Sequence, residues 1–280
     1  MAKKKQTMAQ RADRHELYQK SVQAPNIEIA FLKKKFKKIR KRSPLIMRED
    51  FCGTAYLSTE WCKKIQDGQA IGVDLCHETL QWGEQNNIKK AGTQVAKRIE
   101  LINDNVLTVK TREVDLICAF NFSYCIFETR QLMRDYFSAA RSALKSDGLF
   151  FLDLLGGTAT LDVVDEERDI INGKNSFTYI WDQLSFNPID NHMDCAIHFA
   201  FPDGSLMESA FTYQWRLWSI PEIHELLLEA GFKKVHFYWE KFMEDKDDSK
   251  NEYLIGTGKY REVTKVDQQE SWLVYIIAEK

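Results

Sequence analysis

Residues 48–55 read Arg48-Glu49-Asp50-Phe51-Cys52-Gly53-Thr54-Ala55. They follow a short apolar run, Leu45-Ile46-Met47, and precede Leu57, Trp61 and Ile65, which recur every four residues. A buried strand, a glycine turn and a helix together make the edge of a parallel sheet at which nucleotide-like ligands sit. A dinucleotide loop reads G-x-G-x-x-G, because its glycines let the backbone approach a pyrophosphate. Here the matching positions are Glu49-x-Phe51-x-Gly53-x-Ala55, so one glycine remains and the strand ends in an acid. A carboxylate at that point repels phosphate and attracts an ammonium group. The plainer alternative is a strand-turn-helix whose glycine serves sterics alone.

The same rhythm continues along the chain. Short apolar runs at Leu45–Glu49, Ala70–Asp74, Ile99–Asn103, Val114–Phe120 and Leu149–Asp153 suit strands covered on both faces. The stripe Leu132, Met133, Tyr136, Phe137, Ala140 and Leu144 predicts a helix that Ser146-Asp147-Gly148 stops. Alternating elements of this kind predict an α/β protein built on a doubly wound, mostly parallel sheet. After Gly157 the period changes to two, and residues 174–217 are expected to form an antiparallel β insertion with a turn at Pro202-Asp203-Gly204. Ser219 then caps a helix that Gly231 ends. Strands at Lys233–Glu240 and Ser271–Ala278 follow, with a polar loop rich in Asp, Lys and Gly between them. Residues 1–43 are expected to be a helical, basic arm, with helices around Asp13–Lys20 and Ile27–Lys38.

The loop chemistry favours one ligand. S-adenosylmethionine carries an amino acid group and a sulfonium cation and no phosphate, so it suits a loop that begins with Glu49. Asp74 ends the second strand about twenty residues beyond the glycine turn, where an acid accepts hydrogen bonds from both ribose hydroxyls. It also stands where it can cap the helix starting near Cys76. Asn103-Asp104-Asn105-Val106 places polar groups where an adenine amine would lie.

In this order the pieces resemble a class I S-adenosylmethionine-dependent methyltransferase over Leu45–Lys280, and the residues 44–280 are expected to form that domain. The stretches REDFCGTA, AIGVD, AFNFSYC, GLFFLDL and FTYQWRLWS together are similar to a bacterial group of such proteins. Phe51 and Ala55 depart from the family's glycine motif. The resemblance implies a seven-stranded sheet with the insertion before the last crossover helix. It also implies cofactor contacts from Glu49, Phe51, Cys52, Gly53, Thr54, Asp74, Leu75, Asp104, Asn105, Val106, Phe120 and Asn121. Asn121 and Tyr124 would stand beside the acceptor atom, in a spacing similar to the Asn-Pro-Pro-Tyr motif but without its prolines. Asp153, after the fifth strand, is a candidate base or substrate anchor, or a cap.

Trp181, Arg216, Trp218 and Tyr124 are the candidate substrate-binding residues. Arg216 lies among aromatics, and a cation there needs a partner such as a substrate carboxylate or phosphate. Lys33–Arg42 carries eight cations in ten residues. It reads first as a solvated helix face and second as a nucleic-acid contact. The net charge of −2 gives the whole chain no strong pull on nucleic acid or anionic lipid.

The six cysteines are scattered without Cys/His ligand spacing, so no metal is expected and reduced thiols in a cytoplasmic protein are. No apolar stretch approaches the roughly 20 residues of a membrane span. The sequence thus reads as methyl transfer to a small-molecule N or O nucleophile. A nucleic-acid or protein methyltransferase, a non-catalytic cofactor-binding module and an NAD oxidoreductase are the alternatives, in that order.

Overall fold

The computed structural model describes residues 6–242 and 256–280. Its helices are α1 (Met8–Arg11), α2 (Arg14–Ser21), α3 (Pro25–Arg40), α4 (Tyr56–Lys64), α5 (His77–Gly83), α6 (Thr93–Ala96), α7 (Arg130–Ala143) and α8 (Ile220–Glu229). Its strands are β1 (Ile46–Asp50), β2 (Gln69–Asp74), β3 (Ile99–Asn103), β4 (Val114–Ala119), β5 (Leu144–Gly156), β6 (Asp165–Ile170), β7 (Phe177–Asn187), β8 (His192–Ala200), β9 (Leu206–Arg216), β10 (Lys234–Phe242), β11 (Gly256–Val263) and β12 (Trp272–Glu279). They gather into two compact units. Of the described residues, the larger unit takes 25–124, 131–160, 219–242 and 256–280, and the smaller takes 6–24, 125–130 and 161–218.

The larger unit is an α/β layer around one sheet, ordered β11-β10-β12-β5-β4-β1-β2-β3. The five strands β5, β4, β1, β2 and β3 pair in parallel, while β12, β10 and β11 extend the sheet antiparallel. Every residue of β4 is buried, as a strand covered on both faces requires. On one face α3 and α4 bring Phe31, Leu32, Phe36 and Trp61 against Phe151, Tyr238, Tyr275 and Ile277. Each such side chain contributes about 1.5–3 kcal/mol of burial. The chain runs out from β1 to β3 on one side and back through β4 and β5 on the other. The direction therefore switches between β1 and β4, the place where open sheets of this kind bind ligands.

Among the described residues this sheet has eight strands where seven were expected. The added strand is β11, which lies in the stretch read as a polar loop. It is an edge strand whose Lys259, Arg261 and Glu262 are exposed, so Tyr260, packed on the core, and the terminal Val263 carry little apolar signal between them. Residues 243–255 of that loop lie outside the described residues.

The smaller unit is a four-stranded antiparallel sheet, ordered β6-β7-β8-β9. Helices α1 and α2 lay Met8, Ala12, Leu17 and Tyr18 on Phe177, Ile197, Phe199 and Phe201. The insertion expected at 174–217 therefore starts earlier, because β6 reads Asp-Glu-Glu-Arg-Asp-Ile and exposes nearly all of it.

The N-terminal arm expected over 1–43 is divided. Its first helices belong to the smaller unit, and α3 is a core helix of the larger one, with Leu32 and Phe36 wholly buried. Of the basic run, Lys33, Lys34, Lys37, Lys38 and Lys41 are exposed, as a solvated helix face requires, while Lys35 is buried. The Lys35 ammonium lies 3.7 Å from the Tyr238 ring centre and donates to the Tyr260 carbonyl. Lys38 pairs with Glu262, Arg40 with Glu279, and Arg42 with Asp115 and Asp147. His236 joins this network, each ring nitrogen 2.7 Å from a carboxylate, one of Glu262 and one of Glu279. Among the described residues no helix is long and apolar enough to cross a membrane.

Candidate functional site

The carboxyl ends of β5, β4, β1, β2 and β3 bring the loops after Gly156, Ala119, Asp50, Asp74 and Asn103 into one row, and Asp153, expected after the fifth strand, lies within β5. Its centre is the turn that opened the sequence reading. Phe51, Gly53 and Ala55 all have left-handed backbones, with φ of 56°, 51° and 53°. The alternating conformation that glycines would normally supply is therefore kept, although two of the three residues carry side chains. Each non-glycine residue so placed costs about 1–2 kcal/mol, so other contacts must hold the turn.

Those contacts are visible. The Cys52 amide donates to the Val73 carbonyl, continuing the pairing with β2. The Gly53 amide donates to Asp74 Oδ2 at 2.7 Å, and Asn87 Nδ2 donates to the Thr54 carbonyl. Gly83 lets α5 press close: a Cβ there would lie 2.2 Å from the Thr54 oxygen. Cys52 is buried beneath the turn. Burial first, and then the charges of Glu49, Asp74 and Asp50, push its thiol well above the usual range.

Glu49 does not extend from the strand tip as expected. Its carboxyl is buried and its Oε2 accepts from the Ser58 amide (2.9 Å) and hydroxyl (2.5 Å). Burial raises the carboxyl to about 8, against those two hydrogen bonds. On the other face of β1, Arg48 and Asp50 form a buried two-bonded ion pair (2.6 and 3.2 Å), and the Tyr136 hydroxyl donates to Asp50 at 3.0 Å. Asp50, Ser58 and Tyr136 thus join the site beyond the residues expected from sequence. The signal for the ion pair was the alternation Arg48-x-Asp50, which puts both side chains on one face of a strand.

Asp74 serves as a cap as well as a clamp: Oδ1 accepts from the Cys76 amide and Oδ2 from Gly53. Leu75 is 64% exposed beside it. Asn103 Nδ2 donates to the carbonyls of Asp74 and Leu75, tying the ends of β3 and β2. Asp104 accepts from the Asn105 amide, Asn105 from the Leu107 amide, and Val106 is buried behind them.

At the end of β4, Phe120 packs edge-on against Tyr275. Asn121 and Phe122 again have left-handed backbones. Their amides donate to the two carboxylate oxygens of Asp153, at 2.7 and 3.0 Å. Burial raises Asp153 to about 7 in spite of these bonds. Tyr124 is fully buried and its hydroxyl donates to the Asp153 carbonyl at 2.6 Å. Tyr124 and Asp153 together hold the turn that carries Asn121.

In the smaller unit, Trp181 packs with Tyr213 and Trp215 at ring separations of 5.9 and 5.7 Å. The Arg216 guanidinium lies 3.9 Å from the centre of the Trp218 ring and donates to the Glu128 carbonyl. Trp218 is buried. The structure thus supplies Arg216 with partners from the protein. An open groove of about 830 Å³ on this unit is lined instead by Glu128, Asp194, Thr212, Tyr213 and Gln214, with Ile126 and Leu184. His192 lies between Glu128 and Asp194, at 3.3 and 3.4 Å. Among the described residues no His, Cys, Asp and Glu group is arranged to hold a metal.

Comparison with solved structures bears on this architecture. An S-adenosylmethionine-dependent methyltransferase from Clostridium acetobutylicum superposes with a TM-score of 0.63 at 15% identity, over 95% of this chain and 96% of that one. An amino pentose methyltransferase from Micromonospora echinaspora, bound to S-adenosylmethionine, gives 0.67 at 11% over 95% and 96%. The chain has the methyltransferase fold. A sugar N-methyltransferase from Streptoalloteichus matches at 0.64 and 12% over the whole of this chain and 96% of its own. The methyltransferase fold accounts for the switch point between β1 and β4 and for the row of loops there. No family profile matches the chain, and no curated protein matches its sequence.

Proposed function

We propose that the protein is an enzyme that transfers the methyl group of S-adenosylmethionine to a small polar acceptor. The observation that carries this reading is the turn Phe51–Ala55. It keeps all three left-handed positions of the glycine loop at the switch point of a methyltransferase fold, among carboxylates. A pyrophosphate would meet the Asp74 carboxylate there, whereas a ligand with an ammonium and a sulfonium would not be repelled. The donor set fits such a ligand: a Gly53 backbone open to close approach, Asp74 for the ribose, and Leu75 with Asp104, Asn105 and Val106 around the adenine. When bound, the cofactor supplies an activated methyl for in-line displacement, with the C–S electrons leaving on sulfur. The chain's part is alignment. Phe120 and Asn121 would border the methyl, on a turn fixed by Asp153 and Tyr124.

The acceptor we favour is an amine-bearing small molecule. The Glu128 and Asp194 carboxylates of the smaller unit's groove suit a cationic, hydroxylated ligand, and solved structures of this fold are named for amino pentose and sugar nitrogen methylation. The nucleic-acid alternative is weakened by the ties of Lys35, Lys38, Arg40 and Arg42 within the protein. The test is calorimetry with S-adenosylhomocysteine and with NAD, then mass spectrometry of amino sugars incubated with protein and S-adenosylmethionine. Binding of the first ligand alone, with a one-methyl mass gain, supports the proposal. A response to NAD and none to S-adenosylhomocysteine would sink it.

A further inference from the structure

Helix α4 lacks the cap that a helix of its kind ordinarily carries. Its N-cap residue, Ala55, is left-handed and has no side-chain acceptor. The first amides of a helix need partners from outside it. The acceptor here comes from the strand before the loop. Glu49 Oε2 takes the Ser58 amide and hydroxyl, and Ser58 is the third helical residue, the one a capping side chain usually serves. Both residues are buried, at 6% and 0% exposure. The bond closes a ring of chain from Glu49 to Ser58 that contains Phe51, Gly53 and Ala55.

We infer that Glu49 is a positioning residue: it caps α4 across the loop and so holds the left-handed Phe51–Ala55 turn in the form that accepts the cofactor. This replaces the direct contact to the cofactor's amino group. It rests on the proposed cofactor only for what is bound at the turn, since the cap belongs to the protein without ligand. Two further features agree with it. The turn's two side-chain-bearing positions give it a tendency to relax, which a fixed α4 opposes. Burial first, and Asp74 and Asp50 after it, also discourage the carboxyl's charge, so its hydrogen-bonding oxygen matters more than its ionisation.

That distinction is testable, because glutamine keeps a carbonyl oxygen and loses the charge. Glu49→Ala, Glu49→Gln and Ser58→Ala are made in the full chain. Each is measured for hydrogen exchange at the Ser58 amide without ligand, and for S-adenosylhomocysteine affinity by calorimetry. Glu49→Ala is expected to lose protection at Ser58 and to weaken binding about tenfold. Glu49→Gln should recover both to within about threefold, and Ser58→Ala, which keeps the amide bond, should fall between. A glutamine variant with normal Ser58 protection but the affinity of the alanine variant overturns the inference, since the acid would then be a ligand. Unchanged protection in Glu49→Ala overturns it as well. If Glu49→Ala does not fold, the order of the other two against wild type decides. If wild type binds no S-adenosylhomocysteine, the cofactor reading fails, and the exchange data alone still judge the cap.

Discussion

Asp153→Asn probes the turn beside the proposed methyl site, and its effect should depend on pH. The carboxylate offers one oxygen to each of the Asn121 and Phe122 amides. Asparagine offers one oxygen and sets an NH2 against the second N–H, a loss of about 1–3 kcal/mol at any pH. Against this stands the cost of burying the acid. Its native value of about 7, compared with an ordinary 3.8, means that between those values the native state holds a proton that the unfolded chain has released. Stability therefore falls as pH rises through that window. At about 1.4 kcal/mol per pH unit, the wild-type protein loses about 2–3 kcal/mol from this group between pH 5 and pH 8. The asparagine variant does not. Urea unfolding of both proteins at pH 5, 6, 7 and 8 should show the variant weaker at pH 5 and gaining on wild type by that amount at pH 8. A gap that stays constant across the range would mean that Asp153 ionises like an exposed acid, and the reasoning from its burial would be refuted.

Arg48→Met leaves Asp50, 1% exposed, without its ion partner and should cost about 3–5 kcal/mol in urea unfolding, while Arg48→Met with Asp50→Leu should recover most of it. Gly83→Ala puts a methyl within 2.2 Å of the Thr54 oxygen. It should destabilise the protein by about 1–3 kcal/mol and weaken S-adenosylhomocysteine binding, and unchanged melting and affinity would contradict the close packing. His236→Ala removes the group that, before all others, holds Glu262 down at about 2. A depressed acid stabilises above its unfolded value of 4.5 and loses that contribution as pH falls toward 2. The variant should therefore show a shallower acid loss than wild type between pH 4.5 and pH 2, read by circular dichroism.

The parallel part of the fold was legible because its strands carry two covered faces. Val114–Ala119 and Leu149–Asp153 read as apolar runs for that reason. β6 and β11 were not, since an edge strand with one packed side chain, such as Tyr260, has the composition of a loop. The loop at Phe51–Ala55 was found through Glu49 and Gly53, but the direction of the Glu49 side chain was not. A strand residue's partner is set by what the next helix brings back to it, and Ser58 gives no warning of that in sequence. Lys35 was hidden among the exposed cations of α3 for a similar reason. Periodicity marks Lys35 as one more charge, while its long stem and the rings of Phe31 and Tyr238 make it part of the core.

Strand β12 lies inside the larger sheet, between β5 and β10, although it is formed by residues 272–279. During synthesis, β5 and β10 must wait with open hydrogen-bonding edges until this later strand emerges to fill the gap. Loss of residues 272–279 would split the sheet in two rather than trim its border. Nascent or shortened chains are thus where the protein is most exposed to wrong strand pairing.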